Sequence, residues 1–194
     1  ERFKSQYNIE VRTEQEVTAI NRENRTLKIR KADGTEYEEG YDKVVLAPGA
    51  APVLPGSIEG IRGENVFAVR NVVDITKADD YLQKHEVQDV AVVGGGFIGC
   101  EITENLVHAG KHVTLIEAID QIMTPFDYDM VQIMHKEMMD HGVDLILEDS
   151  VIKIEEKQVT LKSGAVVPAQ MVIMAVGVRP ETSLAKEAGL KIGE

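Results

Sequence analysis

The stretch VAVVGGGFIGCE, residues 90–101, decides the fold because it joins three local patterns in one short run. The apolar residues 90–93 predict a buried strand, the glycines predict a turn, and the residues from Phe97 onward predict a helix. Within the turn, Gly94, Gly96 and Gly99 fit the pattern G-x-G-x-x-G. Taken alone the pattern has two interpretations: a turn that holds a phosphate, or a strand-to-helix turn that only needs a positive φ.

The surroundings of these glycines favour a dinucleotide site. The motif follows a predicted strand, it opens a predicted helix, and Glu117 ends the next predicted strand about 20 residues further on. In such a site Gly94 allows the tight turn, Gly96 lets a pyrophosphate approach the backbone, and Gly99 lets the helix pack closely on the strand. The N–H groups at the helix start then bind the anion without a basic side chain.

Glu117 predicts which nucleotide is preferred. A carboxylate at this position accepts hydrogen bonds from the adenosine ribose and repels a 2′-phosphate. The following residues, AIDQIMT at 118–124, contain no Lys or Arg that could bind such a phosphate. The sequence therefore favours NAD(H) over NADP(H).

Strands alternate with helices from residue 89 onward, which predicts an α/β fold with a parallel sheet. Two hairpin-like strands near Val151–Glu155 and Val159–Leu161 add an antiparallel excursion. The earlier part of the chain is β-rich, with three predicted antiparallel strands and a short apolar run, Val44–Ala47, that predicts a buried closing strand. The predicted segments, in chain order, are strands at 16–23, 26–31, 35–42, 44–47 and 65–71, a helix from 72 to about 84, a strand at 89–93, a helix at 97–109, a strand at 112–117, a helix ending at 141, and strands at 143–147, 151–155, 159–161 and 171–177.

Composition excludes several kinds of partner. The formal net charge is −12, and such an acidic chain repels a nucleic-acid backbone. No run of about 18 apolar residues predicts a membrane span. Cys100 is the single cysteine, which rules out an internal disulfide and is typical of a cytoplasmic protein.

Structural roles explain Cys100 and the histidines better than redox or metal-binding roles do. Cys100 directly follows the glycine turn, where helix packs on strand, so we expect a buried packing residue. His108 and His112 are separated by the helix-breaking Gly110, and the pair at 135 and 141 falls on different helix faces. We therefore expect no metal site.

Three motifs in fixed order, LAPGAAPVLPG (46–56), VVGGGFIGCE (92–101) and IMAVGVRPET (173–182), resemble the pyridine nucleotide-disulfide oxidoreductase family. The resemblance covers essentially the whole chain. It is strongest to the branch of NADH oxidases, NADH peroxidases and coenzyme A-disulfide reductases, and FAVRNVVD and EAIDQIMTPFDYDM add to it. It implies an internal part of such an enzyme, without its first FAD motif, redox cysteine or dimerisation domain.

The resemblance also implies a domain organisation. Residues 1–70 resemble part of an FAD-binding domain, a β-meander with a closing strand. Residues 71–182 resemble a Rossmann-like NAD-binding domain, and residues 183–194 resemble the start of the return to the FAD domain.

The resemblance, together with the glycine motif, gives a set of predicted site residues. Ala47 stands where Ser or Thr is common, and Phe97 stands where Tyr is common, so one hydroxyl is missing at each place. Glu101 resembles a carboxylate that faces the flavin, and it is the one predicted catalytic residue. The predicted NAD contacts are Gly94, Gly95, Gly96, Phe97, Ile98, Gly99, Glu117, Phe126, Val176 and Gly177, and the predicted FAD contacts are Val17, Ala47, Pro48, Gly49, Ala50 and Arg70.

Two hypotheses for function remain at this point. The first is an oxidoreductase, homodimeric when complete, in which NADH passes hydride to FAD and then to a cysteine or disulfide centre. Its final acceptor would be coenzyme A disulfide, peroxide or oxygen. The second is a stand-alone, non-catalytic NAD-binding module.

Overall fold

The computed structural model describes residues 2–193, so that Glu1 and Glu194, the ends of the first and last predicted segments, lie outside the described residues. The elements are, in chain order, α1 (Arg2–Tyr7), β1 (Gln15–Asn21), β2 (Thr26–Lys31), β3 (Glu36–Gly40), β4 (Ala50–Pro52), β5 (Val66–Phe67), α2 (Val72–Lys84), β6 (Asp89–Val93), α3 (Phe97–His108), β7 (His112–Ile116), α4 (Tyr128–Asp140), β8 (Asp144–Ile146), β9 (Val151–Ile154), β10 (Gln158–Leu161), β11 (Val166–Pro168), β12 (Met171–Met174), β13 (Val178–Pro180) and α5 (Ser183–Glu187).

These elements form two compact units. The meander unit comprises the residues up to Ala50 and from Pro180 onward, and the parallel-sheet unit comprises Ala51–Arg179. The chain passes from one unit to the other after Ala50 and again after Arg179.

The meander unit confirms the three predicted antiparallel strands, in the order β1-β2-β3. Its two turns lie in the gaps between the strands predicted at 16–23, 26–31 and 35–42. Arg25 and Gly34 adopt positive φ values of 53° and 84°, and Asp33 accepts the N–H of Thr35 at 2.9 Å. Asx-type turns of this kind are favoured by an Asp-Gly pair.

The predicted strand at Val44–Ala47 is wrong. These residues run outside any strand, and Val45 is 90% exposed. A buried strand needs a neighbouring strand for its backbone groups, and among residues 2–193 no strand pairs with this run. An apolar run alone does not supply that partner.

The parallel-sheet unit contains a five-stranded sheet in the order β5-β12-β6-β7-β8, in which every pairing is parallel. Successive residues of β6 lie on opposite faces of the sheet. Val90 and Val92 join the core beneath the helices, whereas Ala91 and Val93 join a second core against the sheet β11-β10-β9. The α/β fold class and its antiparallel excursion are therefore confirmed, although the sequence predicted only two of the three excursion strands.

The helix boundaries of this unit are also those that the sequence predicts. Asn71 caps α2 in a capping box with Asp74. Gly110 and Gly142 follow α3 and α4 with φ values of 74° and 81°, as expected for glycines that end helices. The longest helices between residues 2 and 193 run for 13 residues, and none of them could cross a membrane.

The compact units divide the chain earlier than the predicted boundary at residue 70. The reason is β5, which pairs with β12 as an edge strand of the parallel sheet. Residues 51–70 therefore pack with the parallel-sheet unit. The cofactor that each predicted segment serves is a separate question and stays a prediction.

Candidate functional site

The glycine turn joins β6 to α3 as predicted. β6 ends at Val93, Gly96 is the N-cap of α3, and the helix begins at Phe97. The N–H of Gly94 donates to the carbonyl of Ile116 at 2.8 Å, so the turn begins beside the end of the neighbouring strand β7. The carboxyl ends of parallel strands form the edge at which α/β folds bind ligands.

Three glycines within residues 94–99 are required by the packing of the protein itself. Gly94 has a φ of +107°, and a Cβ there would lie 2.5 Å from the carbonyl oxygen of Ala175. A Cβ at Gly95 would lie 2.5 Å from the side chain of Ile122, and one at Gly99 would lie 1.9 Å from the carbonyl oxygen of Gly94. Each approach is far inside van der Waals contact, so a larger residue would displace the backbone.

Gly96 is different from its neighbours. Its φ is −79°, a value that any residue adopts. A Cβ at this position would meet no atom within 4 Å. Neither backbone conformation nor packing within the described residues explains a glycine here, whereas a ligand that approaches the backbone would.

The start of α3 provides groups that suit an anion. No side chain caps the helix, and the first internal hydrogen bond runs from the N–H of Cys100 to the carbonyl of Gly96 at 2.9 Å. The amides of the first turn therefore have no partner within the helix, and they lie at the positive end of its dipole. A pyrophosphate is the kind of group that such a helix start binds.

Glu117 is held beside the turn by two backbone amides. Its Oε2 accepts the N–H of Gly95 at 2.7 Å, and its Oε1 accepts the N–H of Ile119 at 3.2 Å. The residue is half-buried at the end of β7. The carboxylate is therefore already oriented in the absence of a ligand.

A cavity of about 620 Å³, here called the glycine-turn cavity, opens at this edge of the sheet. Its volume lies within the usual range of small-molecule sites. It contains five predicted contacts: Gly94, Gly96, Glu117, Val176 and Gly177. It also contains Ser57, Asp149 and Ser150, which the sequence analysis did not predict. Asp149 follows the carboxyl end of β8, and that position could have identified it as a residue of the site.

The aromatic pair predicted for the nicotinamide side is brought together. The rings of Phe97 and Phe126 lie 6.0 Å apart between centroids at an interplanar angle of 60°. Their exposed fractions are 59% and 46%, and Ile98 is 46% exposed. Exposed aromatic side chains are available to stack on a flat ligand.

Glu101 does not line the glycine-turn cavity. It lies with Phe97 along a second cavity of about 400 Å³ between α3 and α4. Its Oε1 is 3.4 Å from the side-chain amide of Asn105 one turn later. Its assignment as a flavin-side carboxylate stays a prediction.

The structure confirms the packing role of Cys100. The residue is 8% exposed, and its thiol donates to the carbonyl of Gly95 at 3.4 Å. Burial, together with the nearby Glu117 carboxylate, raises the pKa of the Cys100 thiol to about 11. The thiolate form that redox chemistry needs is therefore disfavoured.

The predicted FAD contacts are distributed over both units. Val17 lies on β1 of the meander unit and is 37% exposed. Residues 47–49 are exposed, Ala50 is half-buried, and Gly49 has a φ of +75° with its carbonyl accepting the N–H of Glu181 at 3.0 Å. Arg70 lies in the parallel-sheet unit, where its N–H donates to Asp74 at 3.0 Å. The role of these residues toward FAD stays a prediction.

The family of the chain follows from comparison with known proteins. The family model described as pyridine nucleotide-disulphide oxidoreductase matches residues 1–194. The chain therefore belongs to the pyridine nucleotide-disulphide oxidoreductase family, which confirms the resemblance drawn from the three motifs.

Particular members of the family are similar over nearly the whole chain. An NADH oxidase from Methanocaldococcus jannaschii is 37% identical over 100% of this chain and 44% of its own length. A coenzyme A disulfide reductase from Staphylococcus aureus is 32% identical over 99% of this chain and 43% of its own length. The crystal structure of reduced CoADR-RHD from Bacillus anthracis superposes with a TM-score of 0.92 at 42% identity, covering 99% of this chain and 35% of the other. The chain thus spans less than half the length of these relatives.

Proposed function

We propose that this chain binds NADH at the glycine turn and forms the pyridine-nucleotide site of a flavin-dependent oxidoreductase. The observation that carries the proposal is Gly96, which lacks a Cβ beside open space at the uncapped start of α3. Glu117 supports it with a fixed carboxylate at the edge of the same cavity. The residues present therefore fit a dinucleotide.

Each part of the nucleotide has a group of matching chemistry. The pyrophosphate is bound by the first-turn amides of α3, next to Gly96. The adenosine ribose donates hydrogen bonds to Glu117. The nicotinamide end contacts the exposed rings of Phe97 and Phe126 and the backbone at Val176 and Gly177. These side chains bind and orient the ligand.

The proposed preference for NADH over NADPH depends on charge. A 2′-phosphate would be placed against the Glu117 carboxylate, and residues 118–124 offer no basic side chain to compensate for it. The net charge of −12 adds to the repulsion of the extra phosphate.

The chemistry proposed for the whole protein requires FAD. When bound, FAD supplies the electron-accepting centre that passes electrons from NADH to a cysteine or disulfide, with coenzyme A disulfide, peroxide or oxygen as the acceptor. Val17, Ala47–Ala50 and Arg70 would contact it, and Glu101 would lie on its side of α3. We further propose a cytoplasmic homodimer that acts on small molecules rather than on nucleic acids or membranes.

The experiment that tests the proposed function has two parts. First, the chain is titrated with NADH and with NADPH by nicotinamide fluorescence, and saturable binding that is at least about tenfold tighter for NADH is expected. No saturable binding of either nucleotide would contradict the proposal. Second, the whole protein is assayed with NADH against coenzyme A disulfide, peroxide and oxygen. Nucleotide binding without turnover of any acceptor would favour the non-catalytic NAD-binding module instead.

A further inference from the structure

A buried histidine lies behind the glycine turn, on the inner face of α4. Val131 and His135 are the buried residues of this helix, and His135 is 5% exposed. Its Nε2 accepts the backbone N–H of Ile122 at 3.3 Å. A buried polar ring on an otherwise apolar helix face is explained when it satisfies a buried partner.

The partner belongs to the segment that connects β7 to α4, residues 117–127. This segment has no regular secondary structure, and Ile122 and Met123 within it are 0% and 7% exposed. Met123 has a φ of +48°, which is unusual for a side chain of this size. The N–H of Ile122 therefore cannot be satisfied by a strand ladder, and a side chain provides its acceptor.

The same segment forms the wall behind Gly95. The N–H of Met123 donates to the carbonyl of Gly95 at 2.7 Å, and the side chain of Ile122 occupies the space where a Gly95 Cβ would lie. On its other side, the N–H of Gly95 donates to Glu117. The peptide groups of Gly95 are thus held from both sides, one residue before Gly96.

We propose that His135 is a positioning residue for dinucleotide binding. Its imidazole anchors Ile122, the anchored segment fixes Gly95, and Gly95 fixes the position of Gly96 at the start of α3. The proposal rests on the proposed NADH site, because the anchored turn is the one that would contact the pyrophosphate. His135 acts through the backbone and does not line the glycine-turn cavity.

The protonation state of the ring fits this role. Burial lowers the pKa of His135 below its ordinary value, so the ring is neutral near neutral pH. A neutral imidazole that is protonated at Nδ1 leaves the lone pair of Nε2 free to accept the Ile122 N–H. A side chain with no acceptor at that place would leave a buried N–H without a partner.

The test compares three substitutions at His135 with a control in the same core. His135→Gln keeps an oxygen acceptor at a similar reach, His135→Leu removes it, and His135→Asn is polar but too short. Leu82→Ala, on the buried face of α2, serves as the control for general loss of stability. Two measurements are made on each chain: amide hydrogen exchange at Gly95, Ile122 and Met123, and the dissociation constant for NADH.

The expected result separates positioning from stability. His135→Leu and His135→Asn speed exchange at these amides and weaken NADH binding about tenfold, whereas His135→Gln stays within about threefold of the unmutated chain. Leu82→Ala leaves the NADH dissociation constant unchanged and speeds exchange at these three amides less than His135→Asn does. If His135→Leu fails to fold, the comparison of His135→Asn with His135→Gln still decides the matter.

Three results would count against parts of the account, and they can be told apart. If exchange in His135→Asn matches that in Leu82→Ala, then His135 anchors nothing and the inference is overturned. Faster exchange with unchanged NADH affinity would overturn the role in binding. If the unmutated chain binds no NADH while the substitutions still speed exchange, the proposed function fails together with the role in binding, and only the anchoring survives.

Discussion

Oε2 of Glu117 accepts the N–H of Gly95 at 2.7 Å, across a separation of 22 residues. The carboxylate proposed to bind the ribose therefore also holds the glycine turn, and the two roles predict different effects for two substitutions. Glu117→Ala removes both roles. Glu117→Gln removes the charge but keeps an oxygen that can accept the Gly95 N–H.

We expect Glu117→Ala to weaken the binding of both nucleotides, and NADH more than NADPH. The dissociation constant for NADPH divided by that for NADH should fall by about tenfold, because the loss of a charged acceptor costs about 1.5–3 kcal/mol. Glu117→Gln should shift the ratio in the same direction with a smaller loss of overall affinity. Parallel fluorescence titrations with the two nucleotides measure this, and an unchanged ratio would exclude Glu117 from the ribose site.

Gly99 should be needed for folding rather than for ligand contact. Gly99→Ala places a Cβ 1.9 Å from the carbonyl oxygen of Gly94, so α3 must shift away from β6. Overpacking of this kind costs about 1–3 kcal/mol, and urea unfolding should show the loss. The control is Gly96→Ala, whose Cβ meets no protein atom and whose stability should stay within about 0.5 kcal/mol of the unmutated chain. Equal stability of the two variants would contradict the close packing of α3 on Gly94 at Gly99.

The capping box at the start of α2 should contribute to stability. Asn71→Ala removes the acceptor of the Asp74 N–H, which is bonded at 3.1 Å, and should lower the free energy of unfolding by about 1 kcal/mol. Lys77→Ala, at an exposed interior position of the same helix, should change it by less than about 0.5 kcal/mol. Denaturant unfolding of both variants tests the contribution, and similar small changes in both would refute the capping role.

Burial of His135 predicts a pH dependence of stability. Since burial lowers its pKa in the folded state, the unfolded chain takes up the proton first as the pH falls below about 6.5. The contribution of the neutral His135 ring to the free energy of unfolding is fully present above that pH. It is lost as the pH falls toward the lower pKa of the folded state. Unfolding free energies between about pH 7.5 and about pH 5 should therefore fall less steeply in His135→Gln than in the unmutated chain. Identical slopes would contradict a buried neutral ring.

Features set by local sequence were predictable, and those set by distant partners were not. The glycine turn, the Asn71 cap and the glycines after the helices depend on residues within a few positions of one another, so their patterns are visible in the sequence. Val44–Ala47 has the apolar pattern of a strand, but a strand also depends on a neighbour, which no local pattern can reveal.

The candidate site shows the same division. Gly96 and Glu117 were predicted from a spacing that encodes a known geometry. The anchor of the turn was missed because His135 bonds to Ile122 across 13 residues. The segment around Ile122 also contains a positive φ at Met123, where the absence of a glycine gives no sequence signal of such a turn. A lone histidine in an amphipathic helix gives no sequence signal of that contact.

The most direct test of the central claim is an NADH titration of Gly96→Val beside the unmutated chain. The Cβ of the valine meets no atom within 4 Å and the backbone conformation is ordinary, so urea unfolding should show that the fold is retained. We predict that NADH binding is lost, because the new side chain occupies the place of the pyrophosphate. A folded Gly96→Val chain that binds NADH as tightly as the unmutated one would contradict the account.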